Sequence, residues 1–175
     1  PILVEENDYT FSIANALAAV TEKTRILFIA NPNNPTGSFL SGEEILHLRK
    51  SLPSHILLVI DDAYQEYAES RGCPNGLEIG KHFDNVVVTR TMSKIYGLAA
   101  LRIGWAYASQ EVTDNLNRLR QPFNMGTLAQ KAGLTALNDQ GFVARNVEHN
   151  QEWQTYLVEQ FDNLGLSSLP SAGNF

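Results

Sequence analysis

Three short apolar runs, each ending in a burst of polar residues, constrain this 175-residue chain more than any other feature. They are Arg25-Ile26-Leu27-Phe28-Ile29-Ala30, Ile56-Leu57-Leu58-Val59-Ile60 and Val86-Val87-Val88. Unbroken apolar runs bounded by turn formers are the pattern of strands buried on both faces, since neither face alternates toward water. Helical patterns precede and separate them. Ser12 to Val20 reads as a short amphipathic helix, and Ser41-Gly42-Glu43-Glu44 is a capping-box pattern opening a helix toward Leu52, which Pro53 ends. Strand alternating with helix predicts an α/β fold, here a three-layer α/β/α domain with a mostly parallel, incomplete sheet.

In open sheets of this kind, ligands bind just beyond the carboxyl ends of the strands. The first run is followed by Asn31-Pro32-Asn33-Asn34-Pro35-Thr36-Gly37, the second by Asp61-Asp62-Ala63-Tyr64 and the third by Thr91-Met92-Ser93-Lys94. Asn34, Asp61, Tyr64 and Lys94 are therefore expected on one rim, with Arg102 eight residues beyond Lys94. A lysine amine can form a Schiff base with an aldehyde, and hydroxyls with a guanidinium can hold a phosphate. Pyridoxal 5′-phosphate (PLP) requires all of these groups together. Asp61 suits its protonated ring nitrogen, and Asn34 and Tyr64 are donors for its ring oxygen. Thr91, Ser93 and Arg102 suit its phosphate. Lys94, once freed, is a base for a substrate proton.

Each piece has a plainer alternative. Taken alone, Lys94 reads as a solvated loop lysine and Asn31 to Gly37 as an ordinary turn. Tyr64 could be a half-buried aromatic, and Arg102 could pair with a surface carboxylate. Asp61 and Asp62 could together bind Mg²⁺. The alternatives leave unexplained why four such segments follow one another in this order.

Asn34-Pro35-Thr36-Gly37, Asp61-Asp62-Ala63-Tyr64, Ser93-Lys94 and Arg102-Ile103-Gly104 together resemble the signature of fold-type-I PLP enzymes of the class I/II aminotransferase group. Longer strings narrow the likeness. Asn31 to Gly37, Thr91-Met92-Ser93-Lys94-Ile95-Tyr96-Gly97-Leu98, Arg120-Gln121-Pro122-Phe123-Asn124 and Pro170-Ser171-Ala172-Gly173-Asn174-Phe175 are similar to histidinol-phosphate aminotransferases. The resemblance implies Lys94 as the Schiff-base lysine and Asp61 at the pyridine nitrogen. It also implies Tyr64 and Asn34 at the ring oxygen, Thr91, Ser93 and Arg102 at the phosphate, and Asn34 close to substrate. It implies transamination between an amine and a 2-oxo acid, with glutamate and 2-oxoglutarate as one pair, in a homodimer. An aromatic aminotransferase or a phosphothreonine decarboxylase is the neighbouring reading, and an inactive fragment a further one. The family's chains are longer than this one. The chain starts at Pro1 without Met and stops at Phe175 in an apolar stretch, which reads as an internal fragment. On this reading residues 1–140 are a partial PLP-binding large domain, 141–165 a connecting helix and 166–175 the start of a small domain.

The rest of the chain adds exclusions. A net charge of −6 without a Lys/Arg cluster argues against nucleic acid. No apolar run approaches the roughly 20 residues that span a bilayer, and no signal-peptide pattern is present, so no membrane role is expected. The lone Cys73 rules out an internal disulfide, fits a cytoplasmic location, and reads as an inert surface or half-buried thiol. Glu66 to Ser70 continues a helix opened after Tyr64, Arg102 to Ala108 is a strand, and Ser109 caps a helix to about Arg118. Thr127 to Asn138 and Gly141 to Asn163 are helical, and Leu166 to Phe175 is irregular. Gly76 to Lys81 has one residue too few between its glycines for a P-loop and follows no strand. The four histidines are scattered without metal-ligand spacing. Trp105 and Trp153 are expected in packing.

Overall fold

The computed structural model describes residues 9–175, so the early apolar run Ile2-Leu3-Val4 lies outside the described residues. The three apolar runs are strands β1 (Ile26–Ala30), β2 (Leu57–Asp61) and β3 (Val86–Thr91). A fourth, β4 (Gly104–Tyr107), completes a sheet ordered β1-β2-β3-β4. The first three are parallel and β4 runs antiparallel to β3. This is the mostly parallel, incomplete α/β sheet expected from the runs.

Among the described residues, seven α-helices accompany it: α1 (Ile13–Ala18), α2 (Gly42–Ser51), α3 (Gln65–Ala68), α4 (Gly76–Gly80), α5 (Gln110–Leu119), α6 (Thr127–Asn138) and α7 (Gln140–Asn163). The α2 capping box forms as the sequence specifies. Ser41 Oγ accepts from Glu44 N at 3.2 Å, and Glu44 Oε2 accepts from Ser41 N at 2.8 Å. At the other end of α2, the buried Arg49 donates to the carbonyls of Leu52, Pro53 and Ile56. These carbonyls belong to the turn that leads from α2 to β2, which Arg49 thereby pins to the helix.

The two faces of the sheet differ. Ile29, Leu58, Ile60, Val86 and Val88 share one face and form the main core with Ile45, Leu48 and Leu52 of α2 and Ile79 of α4. On the opposite face of β1, Phe28 is 68% exposed and Ile26 is 49% exposed. The opposite edge strand, β4, starts two residues later than the sequence suggests. Arg102 takes a left-handed φ of 53° after a 3₁₀ turn (Ala99–Leu101), and the strand begins only past that reversal. The helix α4 escaped the sequence reading because five residues with a glycine at each end carry little periodicity. Its start is marked by Asn75, whose side chain accepts from Leu77 N.

Two further expectations are corrected. Cys73 is neither exposed nor half-buried but sits in a small cluster with Ala68 and Ala172. Burial pushes its thiol up to about 12, so its inertness survives for a different reason. Trp105 and Trp153 are not core residues. They are 40% and 49% exposed, on β4 and α7.

Candidate active site

The residues that close β1, β2 and β3 meet along one rim because the register is in step. Ala30 pairs with Asp61, and Asp61 with Thr89. β1 and β2 then release their chains at the same level, and β3 runs two residues further, paired with β4.

After β1, the loop is pinned by Asn31, which is buried. Its Oδ1 accepts from Leu40 N at 2.7 Å and its Nδ2 donates to Leu40 O at 3.3 Å. Inside that span Gly37 N donates to Asn33 O and Asn33 N to Ser38 O, both at 2.8 Å. The tightened loop turns Asn34 outward, where its Nδ2 donates to Tyr64 Oη at 2.7 Å. After β2, Asp61 is exposed on the open face of the sheet, with Thr89 Oγ1 at 3.4 Å from its Oδ1. Tyr64 is buried, its ring packed with Tyr67 and Ile95 and with Val143 and Val147 of α7.

After β3, a turn brings Lys94 back over Tyr64. Lys94 Nζ is 5.2 Å from the Tyr64 ring centroid, within cation–π range. Thr91 organises that turn, since its Oγ1 accepts from Ser93 N at 3.0 Å and lies 3.4 Å from Ile103 O. Arg102 Nη1 donates to Ala99 O at 2.9 Å and lies 3.5 Å from Ser93 Oγ. The structure thus brings Asn34, Tyr64 and Lys94 into one contact chain. Thr91, Ser93 and Arg102 form a second group on the adjoining turn, and Asp61 stands at the end of β2 between β1 and β3.

One neighbour of the site went unread in the sequence. Phe175 meets Tyr64 edge-to-face, with centroids 5.0 Å apart. The segment that carries it is anchored by Ala172 N donating to Gly37 O at 2.9 Å. Asn150 and Gln154 of α7 also donate to Gly173 O, at 3.0 and 2.8 Å. No local pattern links positions so far apart. A cavity of about 970 Å³, bordered by Gly37, Phe39, Leu157, Phe161 and Phe175, adjoins the site but contains neither Lys94 nor Asp61.

Asp61 and Asp62 do not form a joint cation site. Successive residues of a strand point to opposite faces. Asp62 is fully buried behind the sheet against Arg90, with 2.9 Å from its Oδ2 to Arg90 Nη2. Among the described residues, no cluster of three or more His, Cys, Asp or Glu side chains is arranged to hold a metal.

An exposed amine, an exposed carboxylate, an amide–phenol pair of donors, and two hydroxyls with a guanidinium are the donor set a phosphorylated pyridine aldehyde requires. Comparison with known proteins gives the same picture. The family described as aminotransferase class I and II matches residues 2–175. The histidinol-phosphate aminotransferase of Maricaulis maris is 47% identical over 170 residues, covering 97% of this chain and 47% of that protein. That of Zymomonas mobilis is 47% identical over 178 residues, covering 100% and 48%. The chain therefore spans about half the length of the curated relatives it matches. The crystal structure of a Sinorhizobium meliloti histidinol-phosphate aminotransferase in complex with pyridoxal-5′-phosphate superposes with a TM-score of 0.91 at 31% identity. That match covers 98% of this chain and 47% of the other.

Proposed function

The chain belongs to the aminotransferase class I and II family, and from that premise we propose that its strand-end rim is a PLP site serving transamination of histidinol phosphate with 2-oxoglutarate. The observation that carries the reading is the contact chain Asn34–Tyr64–Lys94 beside Asp61, four groups from three adjacent strand ends. The names of the 47%-identical relatives support the choice of substrate.

When bound, PLP supplies an aldehyde for an amine and a protonated ring that withdraws electrons from the carbon losing a proton. The chain's residues are suited to hold it. The Asp61 carboxylate would accept the ring N–H and so favour the protonated ring. Tyr64 Oη accepts from Asn34 Nδ2, which leaves the phenol proton and the second amide proton available for a ring oxygen. Ser93 and Arg102, with Thr91 shaping their turn, would hold the phosphate. Lys94 Nζ would bond the aldehyde and, once freed, would act as the base that holds the substrate proton.

We further assign the chain to the cytoplasm and to a homodimer, on the family resemblance and the single buried thiol. Among the described residues no helix is long and apolar enough to cross a membrane. We likewise divide it at 1–140, 141–165 and 166–175 into a large domain, a connecting helix and the start of a small domain.

The test is an absorbance spectrum with added PLP beside a Lys94→Ala control. A long-wavelength band present only in the parent, and lost on borohydride reduction, supports the site. Free-PLP spectra from both proteins would overturn it. Amino transfer from histidinol phosphate, set against aromatic amino acids and phosphothreonine, then decides the substrate.

A further inference from the structure

Behind the rim, on the face of the sheet away from Asp61, lies a buried ionic cluster with no part in the chemistry above. At its centre is Arg90, the residue before Thr91, with its side chain 8% exposed. Arg90 Nε and Nη2 contact Asp62 Oδ2 at 3.0 and 2.9 Å, Nη1 donates to Glu66 Oε1 at 3.3 Å, and Nη2 donates to Asn75 Oδ1 at 2.9 Å. Its guanidinium lies 5.8 Å from the Trp105 ring centroid on β4. Asp62 Oδ2 also accepts from Gly76 N at 3.2 Å, and the Gln65 side-chain amide lies 3.1 Å from Oδ1. One side chain of β3 is thereby fastened to the residue after Asp61, to α3, to the start of α4 and to β4.

The placement is specific. Asp62 lies between Asp61 and Tyr64, and Arg90 lies four residues before Lys94. Backbone pairing of β2 and β3 ends where this cluster begins, with Asp62 N donating to Thr89 O at 2.9 Å. Beyond that bond, side chains alone tie the two strand ends together. A buried pair of charges is a poor source of net stability, because desolvation offsets much of the attraction. A rigid fork held by three acceptors is, however, well suited to fixing geometry.

We propose that Arg90 is a positioning residue that locks the Asp61–Tyr64 end of β2 against the Thr91–Lys94 end of β3, so that PLP finds its ring and aldehyde contacts already in register. The proposal rests on the PLP reading above. Its consequence is that geometry, and not charge alone, matters at position 90. Arg90→Lys keeps the charge and loses the fork.

The experiment measures PLP affinity, the titration midpoint of the bound-PLP absorbance band, and amide hydrogen exchange of the PLP-free protein. It does so in the parent, in Arg90→Lys and in Ile45→Val. Ile45 is a fully buried residue of α2 in the main core, and its variant controls for general loss of stability. The expected result is a roughly tenfold weaker PLP affinity in Arg90→Lys, the scale on which small misplacements act. A shifted band midpoint and faster exchange confined to residues 61–66 and 89–97 should accompany it, with Ile45→Val unchanged in affinity and midpoint and any rise in its exchange spread over the whole chain. Three outcomes overturn the proposal: affinity and midpoint in Arg90→Lys within twofold of the parent, equal effects in Ile45→Val, or exchange that rises uniformly. A parent protein that forms no band with PLP defeats the cofactor reading instead, and the two failures are distinguishable.

Discussion

Single residues here are set by what stands on the two sides of one strand end. Asp61 faces the open side as an exposed carboxylate, while Asp62, its neighbour, is enclosed and its carboxyl is pushed up to about 6 from 3.8. Burial is the main cause, outweighing the pull of Arg90 in the opposite direction. A carboxyl whose folded value is raised favours the folded state fully below pH 3.8, and that contribution is lost as pH rises through about 6. The stability advantage of the parent over Asp62→Asn, read from urea midpoints, should therefore shrink between these pH values. An advantage that grows with pH would contradict this assignment. At the rim, Tyr64→Phe removes one donor and leaves the ring packing intact. It should weaken PLP binding by about 1 kcal/mol, roughly fivefold, while leaving the thermal midpoint nearly unchanged. The placement of Lys94, Asp61, Tyr64 and Asn34 on one rim was readable because each follows closely on an apolar run. Phe175 and Arg90 were not, since each acquires its neighbours from segments remote in sequence.

Elements carry the next level of organisation, and two of them offer direct tests. The start of α2 rests on a reciprocal pair of hydrogen bonds from Ser41 and Glu44, so Ser41→Ala should cost about 1 kcal/mol of unfolding free energy. The loop after β1 depends on Gly37, which has a φ of 73° and on which a Cβ would lie 2.5 Å from Ser171 Cα. Gly37→Ala should cost upward of about 1–3 kcal/mol, from left-handed strain and from displacement of the 171–175 segment. Denaturant titration separates that loss from the smaller one at Ser41. The capping box was visible as four letters in the chain. The close approach of Gly37 to Ser171 was not, because turn chemistry states which dihedral a residue can adopt and not what will pack on it.

For the molecule as a whole, burial divides the sheet into one covered face and one that is partly open. Ile60→Ala, in the covered core, should cost about 2–5 kcal/mol. Phe28→Ala, on the open face of β1, should change stability by within about 0.5 kcal/mol, and equal losses at the two positions would mean that the open face is buried in solution. The apolar runs of β1, β2 and β3 read alike as strands covered on both sides, yet the outer face of β1 is exposed. Hydrophobic pattern records what a strand was selected to bury, and only the assembled fold records what covers it. From sequence alone came the α/β class, the parallel core, the capping box of α2 and the order of polar groups on the strand ends. These follow from local periodicity and from the two-residue alternation of strands. Tertiary structure alone decided that β4 runs antiparallel, that Asp61 and Asp62 part to opposite faces with Arg90 holding the second, and that Phe175 returns to Tyr64. Each of these depends on contacts between segments distant in the chain, whose free energy is realised only when the strands have paired.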